Sequence, residues 1–271
     1  MARIRGSSRL LAVLGDPVVH SLSPTMMNAA IGALGLDAVY VALRVPRNGL
    51  ATVLAACAAA RIAGNVTVPH KMTAATAMTA LTDTARALGA ANTFWPESDG
   101  LAGDNTDVDG FLDAVDTVEA EPPWLVCGTG GAARAVAAAA AARAVPLRVL
   151  SRRPDRAGVF CGWARALGAD ATPDTGAGVG TVINASPLGL AADDDTPVTA
   201  ERAAGARAAI DLVYRPGETA WVRECRQLGL RAIDGRVMLV GQGARAFERF
   251  FPECAAPREI MRAAVAGALG S

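Results

Sequence analysis

The sequence predicts an α/β protein of two domains, each with a sheet that is mainly parallel. Three observations carry this. Short β-like runs alternate with helical stretches along the chain, the rhythm of βαβ units. The rhythm breaks and restarts past Asp107. A glycine turn, Gly128-Thr129-Gly130-Gly131-Ala132-Ala133, follows a strand and opens a helix, as in a Rossmann-like half.

The elements follow in order. Leu10–Leu14 is an unbroken apolar run and reads as a buried strand. Ser23-Pro24 supplies an N-cap and a proline at the first helical position, and that helix stops at Gly35. Ala38–Val45 alternates like a strand, Gly49–Arg61 is helical, and Ala63–Val68 is a strand. A helix follows Pro69 to about Leu81, and Asn92–Trp95 is a strand closed by the Asp99-Gly100 turn signal.

In the second half, Asp109–Val118 is a connecting helix and Glu121-Pro122-Pro123 a break. The strand Trp124–Cys127 leads into a helix from Gly128 to about Arg143. Leu147–Leu150 is a strand, Ala157–Leu167 a helix, and Thr181–Asn184 and Ala208–Val213 are strands. Gly235–Phe250 and Pro257–Leu269 are helices, expected to return to the first domain. The expected domains are therefore 1–107 with 237–271, and 108–236. No internal repeat of fixed period is present.

Composition narrows the function classes. The 271 residues carry 26 basic and 26 acidic side chains, a formal net charge of zero, which argues against a nucleic-acid grip. Hydrophobic residues make up 52% and charged ones 19%, a globular balance. No apolar core of leader length precedes Gly15-Asp16-Pro17, and no run approaches the ~18 residues of a membrane span. Five widely spaced cysteines without a Cys-x-x-Cys pair read as free thiols in a reducing cytoplasm. His20 and His70 are the only histidines, too few for a His-rich metal site, so no metal is expected. Lysine occurs once, at Lys71, so 26 − 1 = 25 of the basic residues are arginine. A desolvated lysine can release its proton and an arginine cannot; survival of one surface lysine in an arginine-biased chain is the plain alternative.

The glycines of the Gly128–Ala133 turn let the backbone approach a pyrophosphate, which the helix N-terminus then binds through its free N–H groups. About 20 residues on, where an acidic residue would hold a ribose 2′-hydroxyl, the chain has Ser151-Arg152-Arg153. Arginine there suits a 2′-phosphate and favours NADP over NAD. A solvated surface pair is the other reading of those arginines.

In the first domain, polar clusters sit at strand ends: His20-Ser21-Leu22-Ser23-Pro24, Asn65-Val66-Thr67-Val68-Pro69-His70-Lys71, Ala91-Asn92-Thr93 and Asn105-Thr106-Asp107. Hydroxyls, an amide, one ammonium and one carboxylate suit a small polyhydroxylated ligand carrying a carboxylate. Ser21 and Ser23 fit the carboxylate, and Thr67 and Asn92 the hydroxyls. Ser23 reads equally as a helix cap and Asn92 as a turn residue. Lys71 and Asp107 form a pair able to pass a proton to or from a carbonyl oxygen; as a structural salt bridge they would do no chemistry.

These motifs, together with Gly89-Ala90-Ala91-Asn92-Thr93, Asn184-Ala185-Ser186-Pro187-Leu188-Gly189, Asp211-Leu212-Val213-Tyr214 and Asp234-Gly235 with Met238 and Gln242, resemble the shikimate dehydrogenase family over nearly the whole chain. The resemblance implies an N-terminal substrate domain and an NADP-binding Rossmann-like domain. It also implies reversible reduction of 3-dehydroshikimate to shikimate with NADPH, on the route to chorismate and the aromatic amino acids. It assigns Ser21 and Ser23 to the substrate carboxylate with Tyr214 near it, Thr67, Asn92 and Gln242 to its hydroxyls, and Lys71 to acid/base chemistry with Asp107 paired to it and touching substrate. Gly128, Thr129, Gly130, Gly131 and Ala132, with Ser151, Arg152 and Arg153, would hold the cofactor. Leu212, Gly235 and Met238 would line the nicotinamide, and Asp83 falls where the family often has an acidic residue near the cofactor. The implied partners are the small substrate and NADP(H), with neither nucleic acid nor membrane, in a monomer or homodimer.

The chain departs from the family pattern at Met27, where histidine is usual, at His70, where an aromatic is common, at Ser151, where asparagine is usual, and at Gly241, where a larger residue is common. Rival readings are a quinate/shikimate or aminoshikimate dehydrogenase and a non-catalytic NADP-binding sensor. Ser23 and Arg152-Arg153 argue against a quinate enzyme using NAD, and retention of Lys71 and Asp107 argues against the sensor.

Overall fold

The computed structural model describes residues 4–191 and 193–270. Met1–Arg3, the start of the segment read above as lacking an apolar leader, lie outside the described residues. The chain divides into two compact units, 1–106 with 240–268 and 107–239 with 269–271. Among the described residues, no helix is long and apolar enough to cross a membrane.

The first unit runs β1 (Arg9–Gly15), α1 (Ser23–Ala33), β2 (Ala38–Arg44), α2 (Leu50–Ala59), β3 (Ala63–Val66), α3 (Lys71–Ala77), β4 (Ala80–Leu81), α4 (Asp83–Leu88), β5 (Thr93–Glu97) and β6 (Gly100–Asp104). Its sheet has the order β2-β1-β3-β5-β6-β4. All pairs are parallel except the two made by β5, which runs antiparallel to β3 and β6. The Asp99-Gly100 turn closes a β5–β6 hairpin. Gly100 is required there, with φ at +141° and any Cβ falling 2.6 Å from Thr79. Leu11 to Gly15 of β1 are all buried, as an unbroken apolar run predicts for a strand covered on both faces, whereas Leu10, at the strand's outer end, is 38% exposed. The core gathers Leu14, Leu50, Leu54, Val66, Phe94 and Leu101.

The second unit runs α5 (Asp107–Thr117), β7 (Trp124–Cys127), α6 (Gly131–Ala142), β8 (Leu147–Leu150), α7 (Pro154–Ala166), β9 (Ala171–Pro173), β10 (Thr181–Asn184), α8 (Ala200–Ala203), β11 (Ala208–Asp211), α9 (Ala220–Gln227) and β12 (Arg231–Ile233). The sheet is wholly parallel, in the order β9-β8-β7-β10-β11-β12. That is the doubly wound Rossmann order, with its switch point between β7 and β10. Every residue of β7, β10 and β11 is buried. The alanines of α6 let it pack closely on α5, and Phe111 of α5 meets Trp124 edge-on at 5.7 Å. Two helices close the chain, α10 (Arg236–Phe250), within which the unit boundary falls, and α11 (Arg258–Leu269).

Two local expectations are corrected. The helix expected to reach Leu81 ends at Ala77, because Thr79 donates to the Leu101 carbonyl and Ala80 pairs with Ala102, drawing the segment onto the sheet edge as β4. The N-cap of α1 is Leu22, not Ser23, and no side chain caps it. The Ser23 hydroxyl is therefore not used by the helix end.

Candidate active site

In the first unit, topology explains why the polar clusters meet. Ser21 and Ser23 follow β1, Thr67 to Lys71 follow β3, and Asn105-Thr106 follow β6. Because β5 runs the other way, its start lies at the same edge, and this puts Asn92 beside the C-terminal ends of its neighbours. Ligands in open α/β sheets bind at that edge.

Hydrogen bonds fix the cluster. Asn92, 2% exposed, donates through Nδ2 to Thr106 Oγ1 at 3.1 Å, and its Oδ1 accepts from the Thr106 N–H at 2.9 Å and Thr93 Oγ1 at 2.9 Å. Behind it Asn65 donates to Thr93 Oγ1 at 3.0 Å and accepts from Tyr40 Oη at 2.7 Å. Asn92 is thus no turn residue of convenience; it sits in a buried polar network whose members are mutually oriented. Thr67 is drawn in by its N–H to the Leu14 carbonyl, 2.8 Å. Its Cγ2 lies 2.4 Å from where a Cβ on Gly15 would stand, so only glycine fits at 15. The Ser21 hydroxyl accepts from the Ser23 N–H at 3.3 Å, which places two hydroxyls at the start of α1. Gln242 lies on α10, which approaches α1 closely because residue 243 is glycine, with Met26 in the space a Cβ would take.

Lys71 is the first residue of α3 and is half-buried. Its carbonyl accepts from the Ala91 N–H at 2.8 Å, tying the lysine backbone to the residue before Asn92. His70, where an aromatic is common in the family, is structural: 2% exposed, with Nε2 2.6 Å from the Val45 carbonyl. Met27 is likewise a core residue, 1% exposed. Asp83 opens α4 and is fully exposed, paired with Arg86 at 3.1 Å.

In the second unit Asp107 is the first residue of α5, 5% exposed, where a carboxylate is favoured by the helix N-terminus. The glycine turn follows β7. Gly128 has φ +119°, and a Cβ there would stand 2.8 Å from the Ala185 carbonyl. At Gly130 and Gly131 a Cβ would meet nothing within 4 Å, so the turn faces open space. No side chain caps α6, which leaves its N–H groups for a ligand. A cavity of about 370 Å³ opens there, lined by Gly128, Thr129 and Gly130, by Ser151, Arg152, Arg153 and Arg156, and by Ala185–Leu188. Arg153 pairs with Asp155 at 3.1 Å, both exposed. Arg152 and Arg156 make no ion pair among the described residues, so two guanidinium groups at the cavity remain for an anion. This donor set, an uncapped helix N-terminus plus guanidinium groups where an acid would read NAD, fits NADP. Arg156 is a lining residue that the sequence reading missed.

Leu212, Tyr214 and Gly235 are brought together. The Gly235 N–H donates to the Val213 carbonyl at 3.0 Å, and a Cβ at 235 would lie 2.4 Å from the Leu212 carbonyl and 3.3 Å from Tyr214. Met238 follows on the first turn of α10. Beneath them Asp211 is fully buried, and burial pushes its pKa up to about 6 against the lowering effect of Thr219, the Val213 N–H and Asn184. Cys127, beside the glycine turn, is pushed by burial up to about 12 and is no nucleophile. Among the described residues, no group of three or more His, Cys, Asp or Glu is placed to hold a metal ion.

Two family models match the chain, both of shikimate dehydrogenases. Residues 13–94 match the family model of the shikimate dehydrogenase substrate binding domain, and residues 235–266 that of the shikimate 5′-dehydrogenase C-terminal domain. The chain is 36% identical to the shikimate dehydrogenase (NADP(+)) of Microcystis aeruginosa, over 98% of this chain and 99% of that one. It is 40% identical to that of Rubrobacter xylanophilus, over 90% and 91%. A crystal structure of a shikimate dehydrogenase with NADP+ superposes with a TM-score of 0.90 at 29% identity, covering 99% of this chain and 98% of that one. The Thermus thermophilus enzyme with NADP(H) and shikimate superposes with a TM-score of 0.87 at 35% identity, covering 96% and 99%.

Proposed function

The chain belongs to the shikimate dehydrogenase family, and from that premise we propose the chemistry of its residues. It is an NADP-dependent oxidoreductase that interconverts 3-dehydroshikimate and shikimate, in the biosynthesis of chorismate and the aromatic amino acids. The observation that carries the cofactor is the Rossmann-ordered sheet with Arg152 and Arg156 at the cavity below its glycine turn.

NADPH, when bound, supplies the hydride that reduces the ketone carbon. The chain's residues do the rest. Lys71 gives a proton to the carbonyl oxygen as it becomes a hydroxyl, and takes it back in the reverse direction. Asp107 serves the substrate through its carboxylate. Ser21 and Ser23 hold the substrate carboxylate, while Thr67, Asn92 and Gln242 orient the hydroxyls; Tyr214 is a further substrate-binding residue. Gly128 to Ala132 cradle the pyrophosphate, Ser151, Arg152 and Arg153 with Arg156 hold the 2′-phosphate end, and Leu212, Gly235 and Met238 line the nicotinamide. The first unit serves as the substrate domain and the second as the cofactor domain. Five cysteines that are all unpaired support a reducing, cytoplasmic setting.

The test is a substrate panel followed by NADPH or NADH absorbance: shikimate or quinate, each with NADP+ or NAD+. Shikimate with NADP+ should turn over fastest. Turnover of quinate with NAD+ and none of shikimate with NADP+ would reverse the substrate and cofactor assignment.

A further inference from the structure

The hydrogen bonds behind the cofactor cavity form a chain that begins on a residue with no contact to the cavity itself. β10 and β11 end on the paired residues Asn184 and Asp211, both fully buried. Asp211 Oδ1 accepts from Asn184 Nδ2 at 2.8 Å and from the Val213 N–H at 3.0 Å, and Oδ2 accepts from Thr219 Oγ1 at 2.7 Å. Asn184 Oδ1 then accepts from the Ser186 N–H at 3.0 Å and from its hydroxyl at 2.7 Å. Asn184 Nδ2 also donates to the Leu188 carbonyl at 2.9 Å. The segment so held, Ala185–Leu188, lines the cavity, and its Ala185 carbonyl packs on the glycine turn at Gly128.

We infer that Asp211 is a positioning residue for the cofactor cavity, acting through Asn184 on the loop that faces the glycine turn. An amide side chain has a donor end and an acceptor end, and nothing in its shape says which points where. An ionised carboxylate is acceptor-only. Opposite Asp211, Asn184 therefore presents its NH2 to β11, and this turns its oxygen toward the two Ser186 donors. Without the carboxylate only the Leu188 carbonyl is left to hold the NH2 end, so the amide is held less firmly, and a flip would set NH2 against the Ser186 N–H and release the loop. Burial makes the choice stringent, because an unpaired donor there is costly.

The inference rests on the reading that this cavity takes NADP(H), and the experiment separates the two. NADP+ affinity is measured by direct titration for the wild type, Asp211→Ala, Asn184→Ala and the double variant, with thermal unfolding and kcat alongside. Each single variant should bind NADP+ on the order of tenfold more weakly, and the double variant no more weakly than the worse single one, since both cut the same chain. At saturating NADP+ the kcat should stay within about threefold of wild type, because the loop acts on binding. Asp211→Asn, which keeps an acceptor toward Asn184, should recover most of the affinity. Wild-type affinity in Asp211→Ala beside a lowered Tm would overturn the inference, as would losses that multiply in the double variant. Where Asp211→Ala does not fold, Asn184→Ser gives the reading: too short to join Asp211 to Ser186, it should lose affinity by a similar factor, and unchanged affinity overturns the proposal. If the wild type itself fails to bind NADP+, the cofactor reading falls and takes this one with it.

Discussion

Lys71 owes its interest to chemistry that no other basic residue of this chain can perform. The 25 arginines carry charge and hydrogen-bond donors but do not release a proton at working pH. Lys71→Arg should therefore keep shikimate binding and lose turnover, and Lys71→Ala should lose kcat by roughly 10²-fold or more with a smaller change in KM. Steady-state kinetics with shikimate and NADP+ decides it; near-wild-type kcat in both variants removes Lys71 from the acid/base role. Residues of this kind, polar and at a strand end, were legible in the sequence because a functional group outside a periodic pattern stands out. What escaped was of two sorts. Arg156 was readable in principle, since it lies three residues after Arg153 at the start of a helix and so shares its face. Asn65 and Asp211 were not assigned a role, because their work is done across strands, and a network partner 27 residues away leaves no local signal.

Among the elements, the glycine turn makes the sharpest demand on sequence. Gly128 combines a left-handed φ of +119° with the backbone carbonyl of Ala185 2.8 Å from any Cβ, an obstacle of backbone rather than of a flexible side chain. Gly128→Ala must shift either the turn or the 185–188 loop, so KM for NADP+ should rise about tenfold or more and the Tm should fall, with KM for shikimate moved less. Equal KM for NADP+ in the variant would mean that the turn does not hold the cofactor. The long or strongly apolar elements, β1, β7, α6 and α10, were legible because hydrophobic periodicity and length agree. Those missed, apart from α9, are β4, β6, β9, α4, α8 and β12, two to six residues long. β6 reads Gly-Leu-Ala-Gly-Asp, with no β-branched residue, and becomes a strand only because β5 turns back at Asp99-Gly100. α9 did carry a signal: Thr219 caps it by accepting from the Val222 N–H, and Trp221, Val222 and Cys225 form its buried stripe.

At the scale of the whole molecule, each of the two units has an apolar cluster of its own, and the cysteines report on the units separately. Cys57 is buried in the first unit, and Cys127, Cys161 and Cys225 in the second. Burial raises the pKa of all four thiols, so each needs local or global opening before it becomes a reactive thiolate. Cys254 alone is partly exposed. An alkylating reagent should therefore label Cys254 rapidly in the native protein and the others slowly. NADP+ held by the second unit stabilises that unit by mass action, about 2.7 kcal/mol at 100 times the Kd, or roughly a 100-fold drop in the open population. Each unit has its own sheet and its own apolar cluster, so that protection should fall on Cys127, Cys161 and Cys225 and much less on Cys57. Site-resolved labelling rates by mass spectrometry, with and without NADP+, check this directly. Equal protection of all four buried thiols would show instead that the chain opens only as a whole, with the cofactor's binding energy shared by both cores.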